Sequence, residues 1–343
     1  MMYKQIVRPL LFCFRHETSH KLFLSLVKLS NILFGPHLVR LFHNYDSPDL
    51  SRELFGLKFK NPVGLSAGFD KNGEYCSYLS NYGFSFIEIG SLSPDQQTEG
   101  KQRVFRSRKD KAVVNRTEVY NKGVRAAISN IEEKRCDCIL AASIIPNMQS
   151  NKDEEMIHDY QTAFSLMYDF ADMFTVNISI PNESGVLTIQ DSTSLADVMD
   201  PVLDMRLCYD SYKPILVKVS PDLPQEQLDG ILDYCMLSGV DGIIAGGPTR
   251  KLDSLTCSPR KINTIHHGLL SGAPLYEESL RLVRHINEHT KGRFPIIACG
   301  GIMTPGQAGE MIEAGASLVQ LNTGLIFEGP KLVKRILKHL SVK

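Results

Sequence analysis

Short apolar runs alternate with longer amphipathic segments from residue 52 onward, and this alternation constrains the fold more than any other feature. The predicted strands are Val63–Leu65, Phe84–Ile89, Ile139–Ala142, Phe174–Ile178, Ile215–Val219, Gly242–Ala245, Ile296–Cys299 and Leu318–Leu321. The predicted helices are Gly73–Tyr82, Val119–Ile131, Glu154–Phe170, Ser194–Tyr209, Gln225–Leu237, Glu277–Glu288, Pro305–Ala314 and Pro330–Leu340. Each run is predominantly apolar, as expected of parallel strands covered on both faces. Eight such repeats predict an α/β fold, a closed (β/α)8 TIM barrel.

The first 44 residues precede this alternation and are predicted to form an amphipathic helical extension, with the barrel occupying residues 45–343. Apolar residues recur there at mostly helical spacing, interrupted by Arg15, Lys21 and Lys28. No stretch reaches the roughly 18 unbroken apolar residues of a membrane span, and no small-residue cleavage site marks a signal peptide. Two short helices with basic flanks could lie on a membrane surface, and a helical hairpin packed on its own domain is the alternative.

Charge and cysteine usage exclude several classes of function. Lys+Arg and Asp+Glu number 38 each, so no global field attracts nucleic acid. Among the eight cysteines only Cys136 and Cys138 are close in sequence, and their spacing does not suit a zinc knuckle. Buried thiols in a reducing cytosol are therefore expected, with no metal site.

Residues that directly follow barrel strands are the candidates for function, because such barrels carry their sites at that end. Ala67-Gly68 follows the first strand with Lys71 close behind, and Ser91 follows the second. Lys218 lies within the apolar fifth strand, where a lysine is costly to bury without an anionic partner. It is predicted to contact a ligand, with a structural salt bridge as the alternative.

Two further groups of strand-end residues complete the candidate site. Gly300-Gly301 and Asn322-Thr323-Gly324 follow the last two strands, where backbone N–H groups commonly bind phosphate. Asn177 and Asn182 follow the fourth strand and suit a flat polar ligand, but Ile180 between them cannot accept a proton. A phosphate clamp, a lysine and amides around a planar site together predict flavin mononucleotide (FMN).

From about residue 54 onward the chain resembles dihydroorotate dehydrogenase of class 2, the quinone-dependent, membrane-associated class, and the N-terminal helices, including His20, resemble it too. The matching stretches are Asn61–Lys71, Ile87–Gly90, Arg103–Arg106, Asn115-Arg116, Val217-Lys218, Pro221–Leu223, Leu270–Gly272, Gly300–Ile302 and Gly315–Gln320. The resemblance implies oxidation of dihydroorotate to orotate in pyrimidine biosynthesis, with electrons passing through FMN to a membrane quinone.

The resemblance also assigns residues. It places the flavin contacts at Ala67, Gly68, Lys71, Ser91, Asn177, Lys218, Gly272, Gly301 and Thr323, with altered flavin-side positions at Ser143, Gly246 and Asn322. It places the substrate contacts at Lys71, Asn115, Arg116, Asn177 and Asn182. The N-terminal helices would form a quinone channel and touch the membrane.

The sequence departs from the family pattern mainly on the substrate side. The catalytic serine falls on Ile180, and the loop after Arg116 reads Thr117-Glu118-Val119-Tyr120 in place of glycine, aromatic and asparagine. Ser143 replaces an asparagine and is followed by Ile144-Ile145-Pro146. Gly246-Gly247-Pro248 replaces a threonine-asparagine-threonine run, and Asn322 replaces an aromatic residue.

Loss of the base matters because general-base assistance is worth about 10²–10⁴-fold, roughly 3–5 kcal/mol of barrier. Binding contacts cannot replace it, since they act on ground and transition states alike. Glu183 is the candidate substitute base, ahead of Ser184, and a bound water is another.

Several interpretations stay open: a dihydroorotate dehydrogenase, an FMN oxidoreductase with another small planar substrate, a catalytically weak or inactive flavin-binding homologue, or a barrel that binds some other phosphorylated ligand. The lack of a transit-like leader favours a peripheral position on the cytoplasmic face of a bacterial inner membrane over the mitochondrial inner membrane.

Overall fold

The apolar runs form a closed barrel of parallel strands in a computed structural model that describes residues 3–97, 104–115, 120–150, 152–179, 192–265 and 268–342. In chain order the strands are β1 (Arg52–Leu54), β2 (Leu57–Phe59), β3 (Val63–Leu65), β4 (Phe86–Leu92), β5 (Val104–Ser107), β6 (Ala112–Asn115), β7 (Ile139–Ile144), β8 (Met173–Asn177), β9 (Ile215–Val219), β10 (Gly242–Ala245), β11 (Leu269–Gly272), β12 (Ile296–Cys299) and β13 (Leu318–Leu321).

Helices cover the outside of the barrel. In chain order they are α1 (Arg8–Leu11), α2 (His16–His43), α3 (Cys76–Leu79), α4 (Val124–Glu133), α5 (Asp153–Met167), α6 (Ser192–Arg206), α7 (Gln225–Ser238), α8 (Pro259–Ile265), α9 (Tyr276–His289), α10 (Pro305–Glu313), α11 (Thr323–Glu328) and α12 (Lys331–Leu340). A π-helix at Tyr3–Val7 and 3₁₀ turns at Pro48–Leu50, Ser80–Tyr82 and Ala273–Leu275 join them.

The strand order around the barrel is β3, β4, β7, β8, β9, β10, β12 and β13, and β13 pairs with β3 to close it. The predicted barrel is confirmed, with the bounds of β3, β9, β10, β12 and β13 as the apolar runs gave them. Parallel register aligns Asn177 with Lys218 and Leu321 with Leu65. The carboxyl ends of the strands, and the residues that follow them, therefore meet at one mouth.

Aromatic and aliphatic side chains close the opposite end of the barrel. Phe59 of the β1–β2 hairpin packs on Phe86, Met173 and Leu216, all fully buried. Gly64 makes room for this layer, since a Cβ there would lie 2.2 Å from the Phe86 ring. The barrel is thus a packed core at its amino end and can hold a ligand only at the other.

An antiparallel sheet of β5, β6 and β11, which the sequence pattern did not predict, stands beside the carboxyl mouth. β6 pairs with β11 so that Asn115 faces Leu269 and Ala112 faces Gly272. Two predicted site residues, Asn115 and Gly272, are delivered by this sheet and not by barrel strands.

The N-terminal extension packs on the barrel through polar contacts while leaving much apolar surface exposed. Tyr3 Oη donates to the Ile326 carbonyl oxygen at 2.7 Å, and Arg40 forms an ion pair with Asp137. α2 consists of two helical segments joined at a kink, where Gly35 takes φ +72° before Pro36. With α1 ahead of it, the extension is helical as predicted, and α2 is longer than the short helices expected. By length and composition it is the one described helix that could cross a membrane.

The cysteines are free thiols, and the expectation that they are buried holds only in part. Cys76, Cys235 and Cys299 are buried, whereas Cys13 and Cys208 are exposed. Cys136 Sγ lies 3.2 Å from Cys138 Sγ.

Candidate active site

A cavity of about 670 Å³ opens at the carboxyl mouth of the barrel and reaches α2 of the extension. Its volume lies within the usual range of small-ligand sites. It brings together nine of the residues proposed from sequence. Those lining residues are Ala67, Gly68, Lys71, Asn115, Lys218, Gly272, Gly301, Asn322 and Thr323. Which ligand atoms each would contact stays a prediction.

A buried ion pair lies at the cavity wall, which Lys218 lines and Glu88 supports from behind. Lys218 Nζ lies 3.5 Å from Glu88 Oε2, and the two side chains are 7% and 0% exposed. Burial alone would lower the pKa of Lys218, but the Glu88 carboxylate reverses this and the pKa lies above its ordinary value. Lys218 thus makes the structural salt bridge and also lines the cavity, and its contact with a ligand stays a prediction.

Glu88 also holds the turn after β3. Its Oε2 accepts hydrogen bonds from the backbone N–H of Ala67 at 2.9 Å and from Gln320 Nε2 at 3.0 Å. On the other side of the turn, Asn322 Nδ2 donates to the Ala67 carbonyl oxygen at 3.0 Å. These bonds fix a backbone of small residues against the cavity, where a ligand can approach it closely.

Glycine-rich turns after β12 and β13 form the opposite wall. A Cβ on Gly301 would lie 2.4 Å from both the N and Cα atoms of Tyr276, and φ at Gly301 is +71°. Thr323 Oγ1 donates to Ser271 Oγ at 3.0 Å and so ties β11 to this wall. Both close approach and a positive φ require glycine at position 301.

Gly301→Ala is expected to displace the turn, lower retention of the flavin predicted from sequence and destabilise the protein by about 1–3 kcal/mol, as overpacking usually does. Flavin bound per polypeptide and the melting temperature measure the two effects. Gly306→Ala is the matched control, because a Cβ there would come no closer than 4.0 Å to Thr304 Oγ1 and the site is helical. Equal flavin content and melting temperature in the two variants would contradict the expectation.

Three predicted cofactor residues form a hydrogen-bonded cluster at the ends of β4, β7 and β8. Ser91 Oγ lies 2.7 Å from Ser143 Oγ, and Asn177 Nδ2 donates to Ser91 Oγ at 3.0 Å. They do not line the described cavity wall. Gly246 does not line it either: its φ is +104° and a Cβ would lie 2.2 Å from the Cys299 carbonyl oxygen. Its neighbours Gly247 and Pro248 do line it.

Four proposed residues lie outside the described part of the chain: Arg116, Ile180, Asn182 and Glu183. Their roles stay predictions from sequence. The two catalytic assignments, Ile180 as the lost base and Glu183 as its substitute, are among them.

Histidines of α2 form the outer end of the cavity. His20 Nε2 lies 2.8 Å from the Phe69 carbonyl oxygen, and the rings of His16 and His20 stack with centroids 6.4 Å apart. Burial, with smaller contributions from the neighbouring His20, Arg106 and Lys71, lowers the pKa of His16 to about 3. Burial also lowers the pKa of His20. Both imidazoles are therefore neutral at physiological pH.

Acid is expected to destabilise the protein through His16. Because its folded pKa lies below the unfolded value of 6.5, the unfolded chain takes up a proton first as pH falls, and stability present above pH 6.5 is lost progressively toward pH 3. The loss at pH 5 amounts to about 2 kcal/mol. The free energy of unfolding is measured with urea at pH 7 and at pH 5. It should fall less between the two in His16→Gln than in the wild-type protein. The exposed His158→Gln should retain the wild-type loss, and identical pH dependence in all three proteins would contradict this account.

Two groups of functional candidates were missed by sequence reasoning. Glu88 interrupts an apolar strand just as Lys218 does, and pairing the two opposite charges would have found it. His16 and Glu17 also line the cavity, but only the docking of α2, a tertiary feature, places them there.

Taken together, the fold and site define a (β/α)8 barrel with a nucleotide-sized cavity at its carboxyl mouth, closed on one side by an N-terminal helix. Residues 49–343 match the sequence profile of dihydroorotate dehydrogenase. The chain belongs to the dihydroorotate dehydrogenase family, and membership implies a flavin cofactor.

Curated relatives and a solved structure match this chain over nearly its whole length. The chain is 38% identical to dihydroorotate dehydrogenase (quinone) of Christiangramia forsetii, covering 100% of this chain and 99% of the relative. It is 35% identical to dihydroorotate dehydrogenase (quinone) of Coxiella burnetii, covering 100% and 97%. A crystal structure of Eimeria tenella DHODH with ferulenol superposes with a TM-score of 0.81 at 28% identity, covering 95% of this chain and 90% of that one.

Proposed function

We propose that this protein oxidises dihydroorotate to orotate with FMN and passes the electrons to a membrane quinone. One observation carries the proposal: a single cavity runs from the glycine turns and Lys218 at the barrel mouth to His16 and His20 on α2. A quinone arriving at the extension would thus share one space with a flavin held by the barrel.

The residues of the cavity fit FMN. The turns at Gly301 and Thr323 would hold the phosphate through backbone N–H groups, Ala67 and Gly68 leave room for a flat ring, and Lys218 would offer its charge to the ring's electron-rich edge. Gln320 lines the same cavity, and its buried Oε1 has no hydrogen-bond partner among the described residues. When bound, FMN supplies the hydride acceptor for dihydroorotate and the electron donor for the quinone.

Lys71 and Asn115 would hold the substrate. Both line the cavity, and the ammonium of Lys71 would pair with the substrate carboxylate while amide groups hydrogen-bond the ring. Lys71 Nζ lies 5.9 Å from the Tyr120 ring centroid, which keeps the cation beside the loop that follows β6. By the family resemblance, Asn177 and Asn182 would complete the set.

The proton that leaves the substrate carbon needs an acceptor. Isoleucine at the family base position has no atom that can take it, so we propose Glu183, on the same sequence segment, as the acceptor. The carboxylate needs no activation for this role, unlike a serine hydroxyl.

The extension would bring the protein to a membrane surface. Leu33 and Phe34 are 66% and 62% exposed, and Leu41 and Phe42 are exposed beside them. Exposed apolar clusters of this kind suit peripheral insertion into lipid. The proposal includes peripheral association with a membrane, for which we take the cytoplasmic face of a bacterial inner membrane.

The test uses full-length protein purified with detergent. Released cofactor is identified by mass spectrometry, and orotate formation is followed with dihydroorotate and a soluble quinone analogue. Flavin of FMN mass and quinone-dependent orotate formation are expected. Colourless protein that takes up no FMN, or FMN-loaded protein that forms no orotate, would refute the proposal.

Ile180 favours a second candidate, a flavin-binding homologue of low or redirected turnover. Bleaching of the flavin by cyclic enones or other dihydropyrimidines, but not by dihydroorotate, would support another substrate. Retention of FMN without bleaching by any of these compounds would support a binding role.

A further inference from the structure

Two histidines and two aspartates face each other across helices α7 and α9 on the outside of the barrel. His285 and His289 are four residues apart on α9, and Asp229 and Asp233 are four residues apart on α7, so each pair lies on one helix face. His285 Nε2 lies 2.5 Å from Asp229 Oδ1, and His289 Nδ1 lies 3.4 Å from the same oxygen. None of the four lines the active-site cavity.

A fourth side chain orients this group. His289 Nε2 lies 2.7 Å from Asp233 Oδ1, and a proton on Nε2 in that bond leaves the Nδ1 lone pair directed toward Asp229. A carboxylate behind a histidine in this way is the usual support of a metal-binding imidazole. Gln225 lies 3.4 Å from His285 Nδ1, and its amide can present either a donor or an acceptor there.

We propose that His285 Nε2, His289 Nδ1 and an Asp229 carboxylate oxygen bind one divalent transition metal ion of the zinc class. One ligand atom from each of the three residues lies within 4.8 Å of the others. Imidazole nitrogen with carboxylate oxygen suits Zn²⁺, Ni²⁺ and Cu²⁺, whereas Mg²⁺ prefers an all-oxygen set. The ligand side chains are 23–32% exposed, so an ion reaches them from solvent and water completes its coordination. Bound there, the ion cross-links two helices.

Chelator-treated full-length protein is titrated with Zn²⁺ by calorimetry and melted with and without the ion. One equivalent should bind at this site and raise the melting temperature, since a ligand of the folded state stabilises it, while Mg²⁺ should do neither. His285→Ala/His289→Ala should lose that equivalent. Asp233→Ala should weaken Zn²⁺ binding about 10–100-fold, the usual effect of removing a supporting carboxylate.

His158→Ala, at an exposed helical histidine, is the matched control and should bind as wild type does. Zinc held by the exposed thiols Cys13 and Cys208 would persist in the double-histidine variant, and unchanged stoichiometry and affinity there would overturn the proposal. A second test uses electron paramagnetic resonance of Cu²⁺ bound to the wild-type protein, so it does not depend on any variant folding. Coupling to two imidazole nitrogens supports the site, and a signal without them refutes it.

Discussion

Replacing Ile180 by serine is expected to raise the rate of dihydroorotate oxidation, by at most the factor of about 10²–10⁴ that general-base assistance is worth, and by less the better Glu183 already takes the proton. The isoleucine side chain has no atom that can accept the substrate proton, whereas a serine hydroxyl can take it and pass it on. The gain should lie in kcat, because a base acts only as the proton leaves, whereas contacts common to ground and transition states change KM. Single-turnover reduction of the bound flavin by dihydroorotate measures the chemical step directly.

Ile180→Ala is the matched control, since it removes the same bulk and adds no proton acceptor. A rate increase of equal size in the alanine and serine variants would mean that steric blockage, and not the missing base, limits the reaction. Glu183→Gln in the wild-type background tests the substitute base, and it should lower whatever oxidation the wild-type protein has. The same change in Ile180→Ser should have little effect if serine has taken over the role.

The sequence was sufficient to predict the barrel because each of its strands is buried on both faces. Burial on both sides requires a continuous apolar run, which is visible in the chain, and β9, β10 and β12 have the predicted bounds. The glycine turns could also be predicted, because consecutive glycines directly after a strand stand out in the sequence. The structure gives their reason, since close approach to Tyr276 leaves no alternative to glycine at position 301.

The antiparallel sheet could not be predicted in this way. β11 is four residues long and pairs with β6, more than 150 residues earlier in the chain. Neither strand is strictly alternating or uniformly apolar, so the pairing depends on tertiary packing beside the barrel mouth. The same limit applies to His16, which reaches the cavity only because α2 docks there.

By the family resemblance, the altered positions fall mainly on the substrate side of the site. The ion pair of Lys218 with Glu88 and the close-packed glycine turn at position 301 are intact and mutually supporting in the structure. Gly247 and Pro248, which the resemblance matches to polar residues of the family, line the same cavity and have no side-chain hydrogen-bond donors. On that resemblance, a barrel that keeps most of the cofactor side and alters mainly the substrate side is expected to show slow or redirected chemistry and to retain flavin binding.

Lys218→Met is expected to destabilise the apoprotein by about 3–5 kcal/mol, the usual cost of leaving one partner of a buried ion pair uncompensated. Glu88 would keep its hydrogen bonds from Ala67 and Gln320 but lose the only cation that the described residues place within 4 Å of its carboxylate. Chemical unfolding should be compared between apoproteins, so that lost cofactor binding does not add to the difference. The exposed Lys58→Met should change stability by less than about 0.5 kcal/mol.

The double variant Glu88→Gln/Lys218→Met separates the charge from the packing. Removing both charges should recover much of the stability lost in Lys218→Met, because a neutral amide of similar shape can still accept from the Ala67 N–H. Flavin binding should not recover with it, since the cation that faces the cavity is still missing. Recovery of both stability and flavin binding would show that Lys218 only neutralises the Glu88 carboxylate and makes no contact that flavin binding needs. Recovery of neither would mean that the lysine stem, and not its charge, supports the cavity wall.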